Sequence, residues 1–487
     1  MKKVTYLLAA AGLMASTFGV QAEHKWKTIS AGDATTYAIR DDGTLWTCGW
    51  NENGQLGVSV GERTAVWQSP SSDTNWAFVA GGKAYGFAIK TDGTLWAVGS
   101  STKGVQGTGD GIDHKTFVQV GTDTDWAMVT TVHFWGYTAA AIKTDGTLWA
   151  WGSNGSNLLG NGATGKNEVT PIQIGTDNDW AYVTLGKAHA LAVKKDGTLW
   201  GWGSNYGGQL GDGTAKTAPT PIQIGTDSDW AYVKALDDRS YAVKKDGSLY
   251  VAGSNYNSLL GLNQEGENIV TQYNTFTKAE NITEKVLSVE GCENVTVIST
   301  GENGVISKVY LVGDNTDGAL GDGNGKLLTA QSSSDEMPRS YTLVNPLLPE
   351  GKTYTTISSG QNYTMVITAE GELYAWGRNK GGQLGDGTDT DMLPTSIYKK
   401  PVLIACPQEE PGSVAEVAVD NAVKVIGNTV YANETISNVN VFSLTGALVK
   451  SAGVVEGSCD LDTLEKGVYL LQYSVNGHMN TIKFIKQ

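Results

Sequence analysis

Short apolar runs separated by turn residues fill most of this 487-residue chain. The clearest copy of the pattern contains four runs rich in Trp, Tyr, Val, Ile and Thr, and each run is bounded by Gly, Asp, Asn or Pro. The four runs are Trp180–Val183, Leu191–Lys194, Thr198–Gly203 and Pro221–Gly225. Short runs of this composition predict β-strands, and the turn residues between them predict antiparallel connections. We therefore expect one four-stranded antiparallel sheet per copy.

A turn pair ending in glycine connects the second and third runs of each copy. In the clearest copy the pair is Asp196-Gly197, which predicts a two-residue hairpin loop with positive φ at both residues. The third run is apolar on both sides, because Leu199 points to one side of the strand and Trp200 and Trp202 point to the other. A sheet that buries both faces needs a neighbour on each side. One sheet can therefore be stable only between two others.

The glycine of this turn recurs seven times along the chain. The seven residues are Gly43, Gly93, Gly146, Gly197, Gly247, Gly304 and Gly371, so they are 50, 53, 51, 50, 57 and 67 residues apart. A period near fifty residues indicates a closed or stacked array of one structural unit. Because each unit is a sheet with two apolar faces, the pattern predicts an all-β fold in which seven blades close into a ring over residues 23–404.

A glycine-rich tail follows the third run of each copy. Its best form is Gly-Ser-Asn-Tyr-Gly-Gly-Gln-Leu-Gly at residues 203–211, with further copies at 51–57, 101–107, 154–160, 255–261, 315–321 and 379–385. Asn and Gly favour left-handed turn conformations, and the Leu is expected to pack against the sheet. With this tail, residues 26–404 resemble the regulator of chromosome condensation repeat family, which implies a seven-bladed β-propeller. Residues 262–288 and 322–352 depart from the pattern, since they are longer and lack the Pro-Ile-Gln-Ile-Gly strand.

The fifty-residue period ends after Ile404. Residues 405–413 are polar, contain two prolines and predict a linker. Residues 414–487 predict strands at Val423–Ile426, Thr429–Ala432, Val439–Ser443 and Val468–Val475. The segments Val439–Val449, Leu464–Tyr473 and Lys483–Lys486 resemble the C-terminal sorting domain of the type IX (Por) secretion system of Bacteroidota. This resemblance implies a small Ig-like β-sandwich that engages the outer-membrane type IX secretion machinery. A generic sandwich added for binding is the alternative.

The first 22 residues have the three parts of a secretory signal peptide. Lys2 and Lys3 form the basic start, Tyr6–Val20 is apolar, and Val20–Ala22 is a small-residue cleavage site. A membrane anchor is the alternative, but this apolar stretch is short. We expect no transmembrane segment in the mature chain. The protein is therefore expected to reach the periplasm and then to be secreted or displayed on the outer-membrane surface.

Composition narrows the range of partners. The formal net charge is −15, and binding to phosphate groups needs clustered cations, so we expect neither nucleic acid nor an anionic membrane as a partner. Four cysteines are too few for a disulfide framework in a chain of this size. Cys48 takes a strand position that Trp occupies in other copies and is expected in the core. The exported location leaves a Cys406–Cys459 bridge open.

Acidic pairs are the most visible candidates for metal binding or catalysis. The pairs are Asp123/Asp125, Asp177/Asp179 and Asp227/Asp229. Because they recur in the same turn of successive copies, we interpret them as turn residues whose carboxylates bind backbone N–H groups. The five histidines have no zinc-like spacing, and no Gly-x-Ser-x-Gly motif occurs. We therefore expect no cofactor, no metal and no enzyme. A surface glycan lyase or hydrolase with carboxylates from several blades is the alternative.

Residues that break the repeat are the candidate binding residues. The third copy has three extra residues between its first and second strands, and this enlarged loop contains His133, Phe134, Trp135 and Tyr137. The equivalent loops of other copies contribute Tyr85, His189, Asp237, Asp238, Arg239 and Tyr363. An aromatic and charged rim near the ring axis is typical of protein or glycan binding. A packed plug that covers the channel explains the same residues equally well.

The function predicted from these features is a secreted or cell-surface binding module. The ligand is expected to be a protein or a glycan, held by the loops on one face of the ring. The family resemblance favours this hypothesis, since propellers with these repeats act mostly through protein contacts.

Overall fold

The computed structural model describes a large part of the chain in two units. The described residues are 24–132, 136–263, 270–325, 339–388, 397–408, 423–426, 429–443, 448–461, 463–464, 467–475 and 478–486. The units are residues 1–408 and 409–487. The predicted signal peptide, residues 1–22, and residues 409–413 of the predicted linker lie outside the described residues.

The first unit is built from four-stranded antiparallel sheets in chain order. The first sheet contains β1 (Trp26–Ala31), β2 (Thr35–Arg40), β3 (Leu45–Trp50) and β4 (Arg63–Gln68). The second contains β5 (Trp76–Gly81), β6 (Tyr85–Lys90), β7 (Leu95–Gly99) and β8 (His114–Gln119). The third contains β9 (Trp126–Thr131), β10 (Thr138–Lys143), β11 (Leu148–Gly152) and β12 (Glu168–Gln173). The fourth contains β13 (Trp180–Leu185), β14 (His189–Lys194), β15 (Leu199–Gly203) and β16 (Ala218–Gln223).

The remaining strands of this unit continue the same order. The next sheet contains β17 (Trp230–Leu236), β18 (Arg239–Lys244), β19 (Leu249–Ser254) and β20 (Gln272–Lys278). The following set is β21 (Val286–Gly291), β22 (Val295–Glu302), β23 (Val305–Asp314) and β24 (Arg339–Val344). The last set is β25 (Tyr354–Gly360), β26 (Tyr363–Thr368), β27 (Leu373–Arg378) and β28 (Ile397–Ile404). One pairing, Ile306 with Tyr354, joins these two sets into one sheet. The fourth strands β20 and β24 thus form within residues 262–288 and 322–352, although these two segments lack the Pro-Ile-Gln-Ile-Gly sequence of the repeat.

The Asp196-Gly197 hairpin turn differs in one respect from the prediction. Gly197 has φ +87°, but Asp196 is not among the residues with positive φ. The Gly197 N–H donates to the Lys194 carbonyl, and the Lys194 N–H donates to the Thr198 carbonyl. The loop therefore has three residues and one left-handed glycine, rather than two left-handed residues. The Asp196 carboxylate accepts the backbone N–H and the hydroxyl of Thr198, at 2.9 and 2.7 Å, and so fixes the turn.

Contacts between successive first strands place the sheets side by side around a ring. The first strand of each sheet contacts the first strand of the next, and β25 contacts β1. Polar bonds support this last junction: the Ala31 N–H donates to the Ser358 hydroxyl at 2.9 Å, and the hydroxyls of Tyr363 and Thr36 are 3.2 Å apart. The last sheet of the unit therefore packs against the first, as a closed ring requires.

Six of the seven glycine-rich tails are folded around an asparagine, and the tail at residues 101–107 has none. The Asn205 side-chain oxygen accepts the Leu210 N–H at 2.9 Å, and its NH₂ group donates to Asp212 Oδ1 at 2.9 Å. Leu210 is fully buried, as predicted. The same bond to the residue five positions on recurs at Asn51, Asn154, Asn255, Asn315 and Asn379. The tail also links sheets, since the Trp202 indole N–H donates to the Leu158 carbonyl of the preceding tail at 2.8 Å.

The second unit is also made of β-strands. Its strands are β29 (Val423–Ile426), β30 (Thr429–Ser443), β31 (Leu448–Asp460), β32 (Gly467–Val475) and β33 (His478–Lys486). They form one sheet in which β30 pairs with β29, β31 and β32, and β32 pairs with β33. Two predicted strands, at 429–432 and 439–443, are thus parts of one long strand. Val430, Val441 and Leu471 are buried in a small apolar core.

None of the four cysteines, all of which are described residues, forms a disulfide bond in the structure. Cys48 is fully buried, as predicted from its strand position. Within the described residues, no helix has the length and apolarity needed to cross a membrane.

Candidate binding site on the loop face

The loops between the first and second strands of each sheet lie on one face of the first unit. We call this surface the loop face. The tails lie on the same face, because the Ser204 N–H of one tail donates to the Ala188 carbonyl of the adjacent loop at 2.8 Å. The hairpin turns between second and third strands lie at the opposite ends of these strands. The loop face therefore gathers both of the variable connections of every repeat.

Tyr85 and Tyr363 are two of the predicted binding residues, and both are buried. The Tyr85 hydroxyl lies within hydrogen-bonding distance of the Thr131 hydroxyl in the next sheet. The Tyr363 hydroxyl donates to the Thr35 carbonyl of the first sheet at 3.1 Å. Burial raises the pKa of both phenols well above the ordinary range. These tyrosines connect neighbouring sheets and are not part of an exposed rim.

His189 and Arg239 have the same role at equivalent positions. His189 is fully buried, and its Nε2 lies 2.9 Å from the Ser240 hydroxyl. Arg239 is 3% exposed and donates from its guanidinium to the backbone carbonyls of Glu293 and Cys292, at 3.0 and 2.6 Å. The prediction of an exposed rim is wrong for these two residues as well. Each is the first residue of a second strand, where the side chain turns into the junction with the next sheet.

The remaining predicted residues fall into two groups. His133, Phe134 and Trp135 lie outside the described residues. Tyr137, Asp237 and Asp238 are partly exposed on the loop face. The Tyr137 ring lies 6.2 Å from the Tyr85 ring, centroid to centroid.

A cleft opens on the loop face between the loops of the third to sixth sheets. It is small, with an accessible volume of about 20 Å³. Its floor is apolar and consists of Val132, Leu185 and Leu236, all buried. The charged residues in its lining are Lys187, Asp237 and Glu293. An apolar floor with a few polar groups at the mouth is typical of a binding site.

Charge in this region is mainly negative. The Lys187 ammonium lies 3.7 Å from Asp237 Oδ1, and its side chain is 44% exposed. Asp238 accepts a long hydrogen bond of 3.4 Å from the Gln209 amide. Burial raises the pKa of Asp238, and the neighbouring Asp237 carboxylate raises it further. The Arg239 charge lies beneath the surface, where backbone carbonyls bind it.

Several accessible residues of this face were not predicted from the sequence. Lys187 and Glu293 occupy the loops that follow β13 and β21, but neither belongs to a motif. Tyr206 and Tyr256 occupy the same position in successive tails and are 79% and 69% exposed. Their matching positions in the repeat were the only signal in the sequence that could have identified them.

The acidic pairs of the repeat have a structural role. The Lys194 ammonium lies 2.6 Å from Asp177 and 3.0 Å from Asp179, and it sits 4.8 and 4.6 Å from the ring centroids of Trp180 and Trp200. The same arrangement recurs at Lys143 and Lys244. The pairs are therefore structural, as predicted, but their main partner is a lysine ammonium rather than a backbone N–H.

One cluster among the described residues has the spacing of a metal site. It consists of His24, Asp41 and Asp42. Asp42 already accepts hydrogen bonds from the Thr44 N–H at 3.0 Å and the Thr44 hydroxyl at 2.7 Å, and it pairs with Arg40. These bonds lower the pKa of Asp42 against the opposing effect of burial. The carboxylate is therefore engaged within its own turn.

Family comparisons identify the repeat. Two models of the regulator of chromosome condensation (RCC1) repeat match the chain, one at residues 26–55, 180–209 and 354–383, and the other at 145–193, 196–242 and 370–419. The matched residues lie mainly in the first unit and include copies of the glycine-rich tail.

Curated relatives match parts of the chain. Ultraviolet-B receptor UVR8 of Arabidopsis thaliana is 26% identical over 278 residues, which cover 56% of this chain and 57% of the receptor. Protein RCC2 homolog of Danio rerio is 37% identical over 73 residues, 15% of each chain. The chain thus spans little more than half of the first relative and a small part of the second.

Solved structures show the same fold. Human WBSCR16 has a TM-score of 0.60 at 19% identity, over 74% of this chain and 94% of that protein. Yeast RCC1 (Prp20) bound to Kap60 has a TM-score of 0.61 at 16% identity, over 83% of this chain and 91% of that one. Saccharomyces cerevisiae Prp20p is described with its binding properties to Gsp1p and histones. It has a TM-score of 0.60 at 16% identity, over 78% of this chain and 88% of that one. The chain therefore contains RCC1 repeats, and its first unit has the fold of an RCC1-like β-propeller.

Proposed function

We propose that the protein is an exported, seven-bladed RCC1-like propeller that binds a protein or glycan ligand through its loop face. The cleft between the loops of the third to sixth sheets is the observation that carries this proposal. It combines an apolar floor with accessible charged groups, and the exposed Tyr206 and Tyr256 lie on the same face. Tyrosine gives a large and rigid contact surface and is enriched where proteins bind.

The comparisons add limited support for a binding role. Prp20p is described with its binding to Gsp1p and histones, and its fold is that of the first unit here. Because we propose that this chain is exported, we carry over the binding role and not these two partners. The alternative of a surface glycan-active enzyme receives no support from the comparisons.

Export is the second part of the proposal. Residues 1–22 serve as the signal peptide, and residues 414–487 form an Ig-like sorting domain that engages the type IX secretion machinery. The mature protein is then secreted or held on the outer-membrane surface. The sequence of the terminal segments supports this part.

Binding through the loop face can be tested with two charge-matched double variants of the full chain. Asp238→Ala with Glu293→Ala alters the loop face, whereas Glu302→Ala with Glu350→Ala alters exposed acids at the opposite ends of the strands. Each variant is applied to a glycan array and to surface extracts of the native host. We expect the first variant to lose at least three-quarters of the bound signal and the second to keep it. Equal retention by both would exclude the loop face.

Sorting can be tested by deleting residues 414–487 and fractionating the cells. We expect the truncated chain to stay in the periplasm, while the full chain reaches the surface or the medium. Normal surface delivery of the truncated chain would contradict the sorting role and would leave the binding proposal untouched.

A further inference from the structure

We propose that a small clasp, formed by His24, Arg40, Pro407 and Gln408, closes the ring of the first unit. It lies at the junction between the last set of strands and the first sheet, where the chain itself makes no link. Residues 405–408 of the predicted linker then belong to the ring, and the junction that they close is the one at which the ring opens. This inference concerns the fold of the first unit and does not depend on the ligand.

The other junctions of the ring have a covalent link. Residues 174–179 join β12 to β13, and residues 224–229 join β16 to β17. The last set has no such link to the first sheet, because β1 begins and β28 ends the run of strands in this unit. Strand pairing does not supply one either: among the described residues, no strand of β25–β28 pairs with a strand of β1–β4. Non-covalent contacts must therefore hold this junction.

The two ends of the unit meet where the link runs in other junctions. Ile404 and Ile174 are equivalent, since each pairs with the first residue of the third strand of its sheet. Gln408 is the fourth residue after Ile404, and Asn178 is the fourth after Ile174. His24 is the second residue before β1, and Asn178 is the second before β13. Gln408 and His24 thus reach the same position of the repeat, that of Asn178, from opposite directions along the chain.

His24 and Gln408 are hydrogen-bonded to each other in both directions. The His24 N–H donates to Gln408 Oε1 at 2.8 Å, and Gln408 Nε2 donates to the His24 carbonyl at 3.2 Å. Gln408 Nε2 also donates to the Cys406 carbonyl at 2.9 Å, which fixes the side chain over its own segment. This reciprocal pair stands where the backbone of the other junctions is continuous.

Arg40 anchors the segment that leaves the ring. It is fully buried, its guanidinium lies 4.9 Å from the Trp46 ring centroid, and it donates to the Pro407 carbonyl at 2.7 Å. In the fourth sheet Lys194 has the equivalent position at the end of the second strand, and its ammonium lies 2.6 Å from the Asp177 carboxylate. Pro407 is the counterpart of Asp177, because each is the third residue after the equivalent isoleucine. Arg40 therefore makes the contact of the repeat lysine with the last residues of the unit.

Arginine suits this position better than the lysine of the other sheets. Its planar guanidinium presents several N–H donors, so that it bonds the Pro407 carbonyl and pairs with Asp42 at the same time. A lysine ammonium would keep the charge but could not reproduce this fork.

The clasp makes this junction the one that opens most easily. Non-covalent contacts alone hold it, and the bonds between His24 and Gln408 are exposed, whereas a continuous backbone spans each of the other junctions. Regions held by exposed hydrogen bonds open locally at low free energy. A cut in the chain after Gln408 leaves the clasp intact, whereas a cut before Cys406 removes it. The boundary between the two units falls at the same point, between residues 408 and 409.

Hydrogen exchange of the full chain, followed by mass spectrometry, tests the clasp. The Trp26 N–H donates to a carbonyl in the hairpin turn of the last set at 3.1 Å, so peptide 24–31 reports the opening of this junction. The Trp180 N–H donates to a carbonyl in the hairpin turn of the third sheet, also at 3.1 Å. Peptide 178–185 is therefore the reference for a junction with a covalent link.

Two variants weaken the clasp, and a third is the matched control. Gln408→Ala removes the reciprocal bonds, and Arg40→Lys keeps the charge but loses the fork. Asn178→Ala changes the equivalent position in a link that stays continuous. We expect exchange of peptide 24–31 to become at least about threefold faster in both clasp variants, with peptide 178–185 within about twofold of wild type. In Asn178→Ala both peptides should stay within about twofold of wild type.

Unchanged exchange of peptide 24–31 in either clasp variant would overturn the inference. An equal rise in peptide 178–185 would also overturn it, since the variants would then destabilise the whole unit rather than one junction. If Asn178→Ala opened its own junction as much as Gln408→Ala opens the clasp, the covalent link would make no difference, which contradicts the inference as well.

Discussion

The Nε2 atom of His189 lies 2.9 Å from the hydroxyl oxygen of Ser240, in a junction between two sheets from which solvent is excluded. Tyr85, Arg239 and Tyr363 make related bonds at the corresponding junctions. The first residue of the second strand thus links each of these sheets to the next. The residue at this position differs from sheet to sheet, and so does the hydroxyl or carbonyl group that it contacts in the next sheet.

His189 should make the stability of the first unit depend on pH. Burial lowers the pKa of His189 from 6.5 to about 3. The folded state then binds fewer protons than the unfolded state between these values, so this contribution is full above pH 6.5 and is lost as the pH falls toward 3. At pH 5, wild type should have lost about 2 kcal/mol of unfolding free energy from this source.

The variant His189→Gln can keep a hydrogen bond to Ser240 but cannot titrate. Urea unfolding at pH 7 and at pH 5, followed by tryptophan fluorescence, measures the difference in unfolding free energy between the two pH values. The signal reports the first unit, because Trp376 is the last tryptophan in the chain. We expect the loss of unfolding free energy between pH 7 and pH 5 to be smaller in His189→Gln than in wild type. In His114→Gln this loss should equal that of wild type. The same loss in His189→Gln as in wild type would show that His189 does not carry the effect.

Lys194 should stabilise the fold rather than bind a ligand. Its ammonium lies between the carboxylates of Asp177 and Asp179 and the rings of Trp180 and Trp200, and the side chain is 9% exposed. Lys194→Met keeps the stem but removes the charge, and should lower the free energy of unfolding by about 1–3 kcal/mol. Lys195→Met, at the exposed neighbouring residue, is the control and should change it by less than about 0.5 kcal/mol. Equal losses of unfolding free energy in the two variants would mean that Lys194 stabilises the fold no more than an exposed lysine does.

Asn205 should be required for its tail to fold. It is fully buried and bonds both the Leu210 N–H and the Asp212 carboxylate. Asn205→Ala leaves both groups without this partner and should cost about 1–3 kcal/mol. Hydrogen exchange at the Leu210 amide should become faster, whereas Asn178→Ala, at an exposed turn, should leave it unchanged. An unaltered exchange rate in Asn205→Ala would contradict this role.

The sheets could be predicted from sequence because their signals are local. The four runs, the turn glycines and the tail asparagines act within a few residues of their own positions, so period and composition were sufficient. The three-residue turn at Lys195–Gly197 was missed because an Asp-Gly pair fits both loop lengths, and the bond from Lys194 to Thr198 decides between them.

The site was harder to predict because it depends on contacts between repeats. Whether His189 points outward or into the junction depends on the position of Ser240, some fifty residues away. The cleft likewise combines Lys187, Asp237 and Glu293 from successive loops, and no one of these loops carries a motif. A departure from the repeat therefore indicated the loop face as the candidate binding face, but not which side chains are exposed on it.

The central claim is that ligand binds the loop face, and site-specific photo-cross-linking tests it most directly. Benzoylphenylalanine is introduced at Lys187 on the loop face, or at Lys195 in the hairpin turn of the same sheet, in the full chain. Both residues are exposed, so the two probes differ mainly in the face they sample. After irradiation with surface extracts of the native host, the account predicts a discrete cross-linked product from position 187 and none from position 195. Equal products from both positions, or a product from position 195 alone, would contradict it.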